Sequence, residues 1–136
     1  MAFPPITACL VCEGTRQEIL NKYTILGFFG VAPHVRMFLR DFNLPLGLCF
    51  FFCGTVGEGS FRVELRLRGP SGQVVLGNTA PPVEGVLDPH IQVSYFILFF
   101  NGILPGPGEY MVSLIADGVE HYSTPLVIEQ APPETL

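Results

Sequence analysis

The chain has 136 residues, which suits a single domain able to bury roughly two-thirds of its unfolded surface. Apolar residues make up 49% and charged residues only 14%, where about 25% charged is usual, so part of the surface must be neutral or apolar, which favours an oligomer or a docked partner. A net charge of −5 without a basic cluster argues against nucleic-acid binding.

Taken in order, Ile6 to Glu13 reads as a first strand, and the polar stretch Gly14 to Asn21 has room for a short helical turn. Lys22 to Val31 is a second strand, in which Gly27 and Gly30 predict a bulge or a close backbone approach. In Ala32 to Asn43 the residues Val35, Phe38, Leu39 and Phe42 fall at i, i+3, i+4 and i+7, so a short helix is expected there, capping the sheet or covering one of its faces. Leu46 to Thr55 is apolar on both faces, as a strand buried on both sides would be. Ser60 to Arg68 alternates cleanly, with Phe61, Val63, Leu65 and Leu67 inward and Arg62, Glu64, Arg66 and Arg68 toward water.

Pro70, Ser71 and Gly72 predict a turn that leads into Gln73 to Gly77 as a hairpin. Asn78 to Asp88 is poor in strand formers and reads as a long connection. Ile91 to Asn101 is the second doubly apolar run, so both runs are expected to be central strands. Gly102 to Gly108 is a loop, and Glu109 to Ala116 is a strand. The pair Asp117-Gly118 is the strongest two-residue hairpin signal in the chain. Val119 to Glu129 closes the domain, with Pro125 predicting an edge or a bulge. The domain is expected to span residues 1–130, followed by a loose tail at 131–136.

All seven basic residues lie in the first 68 positions beside five acids, for +2, whereas the remaining positions hold seven acids and no base, for −7. Such asymmetry can steer self-association or a charged partner. The opening MAFPPITACL lacks the basic and apolar regions of a secretory signal, and no run reaches the ~18 residues of a spanning helix, so a cytoplasmic location is expected.

The residue types that carry chemistry do not assemble into a motif here. Cys9 and Cys12 lie three apart on a strand and so face opposite ways. Cys49 and Cys53 share a face but sit ~13 Å apart at ~3.3 Å per residue, too far for one zinc ion. Buried, unlinked thiols are expected instead, with no metal and no cofactor. His34, His90 and His121 stand apart from any catalytic signature, so no catalytic residue is assigned. Asp41, Asp88 and Asp117 fall in or near loops, one to a loop, and read as turn residues rather than a calcium site. Arg62, Arg66 and Arg68 form a stripe suited either to an anionic ligand or to plain solvation.

The aromatic surplus is the stronger signal. Of 12 phenylalanines, Phe50, Phe51, Phe52, Phe96, Phe99 and Phe100 crowd the two doubly apolar runs. One side of each run fills a core, and the other meets either a partner, a second copy, or residues 32–43 of the same chain.

Cys9 to Glu13, then Lys22 to Phe29, then Gly69 to Gly72 and Pro105 to Gly118 together resemble a family of small bacterial β-sandwich proteins of unknown function. The resemblance implies a β-sandwich and carries over no catalytic residue, and the two Phe-rich runs are greasier than its pattern requires. The expected architecture is an all-β antiparallel sandwich, immunoglobulin-like or C2-like, of about eight strands with at most one short helix. A small closed barrel is the alternative. The expected function is non-enzymatic binding or assembly with a protein partner or a second copy, without nucleic acid or membrane. The alternatives are small-molecule binding in a pocket at one end of the sandwich, or a cryptic hydrolase.

Overall fold

A computed structural model describes residues 3–75, 83–90 and 94–132, apart from the side chains of residues 21 and 83. It is all-β, with nine strands among these residues: β1 (Ile6–Gln17), β2 (Tyr23–Val31), β3 (Arg36–Leu39), β4 (Leu46–Gly54), β5 (Gly59–Arg68), β6 (Val83–Leu87), β7 (Ser94–Gly102), β8 (Gly108–Ala116) and β9 (Val119–Gln130). They form two sheets. The first has the order β2-β1-β4-β7, and the second β3-β9-β8-β5-β6. All pairs are antiparallel except β3 with β9.

Alternation along the strands builds the core between the sheets. Cys9 and Val11 of β1, Leu48, Phe50 and Phe52 of β4, and Phe96, Leu98 and Phe100 of β7 point inward from the first sheet. Val63 and Leu67 of β5, Tyr110, Val112 and Leu114 of β8, and Leu126 and Ile128 of β9 meet them from the second. Phe3, just ahead of β1, closes one end, with its ring 5.0 Å from Phe61, 5.1 Å from Phe96 and 4.4 Å from His121.

The turns obey their residues. Asp117 and Gly118 both take positive φ, 49° and 81°, as a type I′ hairpin requires. The Asp117 carboxylate also accepts the Arg62 backbone N–H at 2.9 Å, tying this hairpin to β5. After Arg68 the chain turns at 70–72, where Gly72 N–H reaches Gly69 at 2.9 Å. It pairs back only as a single bridge, Arg68 with Val74, and the end of the expected hairpin (76–77) lies outside the described residues. Pro125 stands in the part of β9 that β3 does not reach, since that pairing begins at Val127, so its missing N–H leaves no ladder broken.

Four expectations are corrected. Residues 32–43 form no helix: Val35 and Met37 point into the core, Arg36 and Phe38 point away, and β3 extends the second sheet as a parallel edge strand. The Val35 carbonyl accepts Val127 N–H at 3.1 Å, and the Leu39 carbonyl accepts Ala131 N–H at 2.7 Å, so the neighbouring strand imposes the extended form. Residues 83–87 are a strand rather than connection, because β5 supplies the ladder that local propensity does not; residues 78–82 lie outside the described ones. The first strand does not end at Glu13 but runs on to Gln17, while the short helical turn expected within 14–21 is the 3₁₀ turn Ile19–Asn21. Of the two Phe-rich strands β4 is central, but β7 is an edge of its sheet among the described residues. Residues 91–93, which open the second run, lie outside them.

Candidate functional site: the outer face of the four-stranded sheet

Pairing registers fix what the first sheet presents away from the core. Phe28, Cys12, Cys49 and Phe99 form one row across β2, β1, β4 and β7. Val31, Leu10, Phe51 and Ile97 form the next, and Ala8, Cys53 and Tyr95 a third. Not one of these side chains is charged. Gly30, with φ of 154°, and the register shift between Val11 and Cys12 bulge β2 here, as the glycines predict.

β4 accompanies β1 only as far as Cys12, after which β1 and β2 run on as a two-stranded ribbon. Such ribbons twist strongly, and this one curls back over the sheet: the Tyr23 ring at its tip lies 5.7 Å from Phe51. Tyr95 flanks Phe51 from the other side at 5.2 Å. The centre of the face is therefore closed, with Cys12 and Cys49 buried and Phe51 only 5% exposed. Its flanks stay open, with Phe28 57%, Tyr95 51% and Phe99 44% exposed. The ribbon's tip adds Ile19 and Leu20, both largely in solvent.

Of the six phenylalanines that sequence marked, Phe50, Phe52, Phe96 and Phe100 fill the core, and Phe51 and Phe99 face outward. Sequence reasoning missed the ribbon as the cover, along with Tyr23 as the residue that touches the face. Its signal was the alternation of Thr15, Gln17, Tyr23 and Ile25 on either side of the short turn at 18–22.

Three of the four free cysteines are buried and Cys53 is half-buried. Burial pushes Cys9 and Cys49 up to about 12 and raises Cys12 and Cys53, so all four are neutral thiols at neutral pH. Cys9 faces the core and Cys12 the outer side, opposite Cys49. Among the described residues no group of three His, Cys, Asp or Glu side chains converges on a point that could hold a metal ion. Asp41 and Asp88 accept the backbone N–H groups of Asn43 and His90 at 2.8 and 2.9 Å, which makes both turn residues.

Arg62, Arg66 and Arg68 line the outer side of β5 in the second sheet, with Arg62 opposite Glu84 of β6. The ion pairs found among the described residues lie elsewhere: Arg16–Glu18 at 2.8 Å and Arg36–Glu129 at 3.8 Å. Thr24 and Arg16 hydrogen-bond the Glu18 carboxylate and hold it below the usual range.

Two hollows lie among the described residues. A shallow one of about 310 Å³ lies by Val75, Leu104 and Pro105. A narrower cleft of about 140 Å³ opens between the edges of the two sheets, lined by Val63, Val86, Leu87, Tyr95, Phe96 and Leu98. No known protein family and no curated protein matches this chain. No helix among the described residues is long and apolar enough to cross a membrane.

Proposed function

We propose that this protein acts by binding or assembly rather than catalysis, through the apolar outer face of its four-stranded sheet. The observation that carries the reading is a set of three uncharged rows whose flanking aromatics, Phe28, Tyr95 and Phe99, stand about half in water. Exposed aromatics grouped on one face are characteristic of interaction sites, whereas scattered ones need no explanation. The finer fold reading is an immunoglobulin-like sandwich. It is supported by Tyr110 near the start of β8, whose hydroxyl donates to the Gly106 carbonyl four residues upstream, as a tyrosine corner does. Four unlinked thiols suit a reducing compartment such as the cytoplasm.

The test is binding of an environment-sensitive apolar dye to the folded chain, alongside light scattering. Saturable dye binding or concentration-dependent association is expected, and both should be reduced in Phe28→Ser/Phe99→Ser. A strict monomer that binds no dye would sink the reading.

The cleft between β6 and β7 favours a second reading, binding of a small apolar ligand at the side of the sandwich rather than at one end. Native mass spectrometry of the purified chain would show the retained ligand, and a clean apo mass would count against it.

A further inference from the structure

We infer that β7 is a docking edge for a second copy of this chain, pairing antiparallel with its own equivalent so that two four-stranded sheets become one of eight. This deepens the assembly reading above and rests on it. Among the described residues four strands end the two sheets: β2, β7, β3 and β6.

An open edge recruits other strands unless it is short, bulged, charged or broken by proline. Three of the four carry such protection. β3 has four residues and bears Arg36. β6 has five and bears Glu84 and Gly85. β2 is bulged beside Gly30, and Gly27 within it is left-handed at φ of 60°. β7 has none of these devices. Its nine residues, SYFILFFNG, include no charge and no proline, and it pairs with β4 from Ser94 to Gly102 without a register shift.

The composition of β7 selects a second copy as the occupant. A two-fold antiparallel pairing brings two copies of one strand together and doubles along the seam whatever charge that strand carries, so a strand without charge is the one suited to pair with itself. Centred on Leu98, the pairing overlaps all nine residues, a length of about 30 Å at ~3.3 Å each. Phe99 then faces the partner's Ile97 on the outer side, an aromatic against a β-branched residue, and the exposed flank formed by Tyr95 and Phe99 runs on into the partner's.

The test combines sedimentation equilibrium with amide hydrogen exchange on the full chain across micromolar concentrations. The expected result is a reversible dimer in which alternate amides of residues 94–102 slow as dimer forms. Phe99→Lys should raise the dissociation constant at least tenfold while leaving the circular dichroism unchanged. Tyr95→Lys, on the same face, serves if that variant fails to fold. Three outcomes would overturn the pairing: a monomer at every concentration, a dimer whose β7 amides exchange as fast as the monomer's, or β7 amides already slow in the monomer. The second leaves the assembly reading standing, because association would then use another part of the face. The first, joined to an absence of dye binding, removes both.

Discussion

Cys9 and Cys49 connect burial to pH. Their thiols stay protonated in the folded chain up to about 12, whereas an ordinary thiol ionises near 9.0. Between these values the folded state binds more protons than the unfolded one, so stability falls as pH rises from about 9 and is undiminished below it. Tyr110 and Tyr122, also raised by burial, act in the same sense at higher pH. Thermal melts should thus be level through neutral pH and drop above pH 9, and Cys9→Ala should shallow that drop. A level profile to pH 11 would contradict the burial of these thiols. Phenylalanine alternation gives a second measurement. Phe50→Ala, fully inside the core, should cost about 3–5 kcal/mol in chemical denaturation, and Phe99→Ala less than ~1.5 kcal/mol. Equal costs would mean the register of β4 against β7 is misassigned.

The ribbon formed by β1 and β2 decides how much of the outer face a partner can reach. Gly27 sits inside it at φ of 60°, where an L side chain is strained, and a Cβ there would run into the Glu13 side chain. Gly27→Ala should cost about 1–2 kcal/mol and loosen the ribbon's hold on the face. Alkylation of Cys49 should then speed up while that of Cys9, on the core side, does not. An unchanged Cys49 rate would mean that the ribbon is not its lid. Period-two alternation and turn chemistry made most of the strands legible from sequence alone, along with the Asp117-Gly118 hairpin and the inward set of β5. What escaped was set by tertiary pairing. Val35 and Leu39 belong to both a helical and an alternating pattern, and only β9's open C-terminal half selects the strand. Val83 to Leu87 carries a glycine and a glutamate that weaken any local strand signal, and β5 supplies the missing bonds. The curl of the ribbon onto Phe51 depends on where β4 stops following β1, which no local pattern encodes.

At the scale of the whole molecule, folding disperses the charge asymmetry along the chain. Arg62 of the +2 half lies opposite Glu84 of the −7 half, and Arg36 pairs with Glu129, so the two halves interleave in one sheet and do not form opposite poles. Two copies therefore approach as bodies of −5 each, joined in our proposal along a strand without charge. Like-charged bodies repel, and salt screens that repulsion over a Debye length of about 10 Å at 0.1 M. Raising ionic strength from 20 to 300 mM should hence tighten the dimer several-fold, and lowering pH toward the isoelectric point near 5.0 should do the same. Sedimentation equilibrium across a salt series measures the slope directly. A dimer that weakens with salt would require oppositely charged surfaces at the contact, which β7 cannot provide. The interface would then lie away from β7, as on the second sheet, where Arg62, Arg66 and Arg68 could meet the acids of another copy.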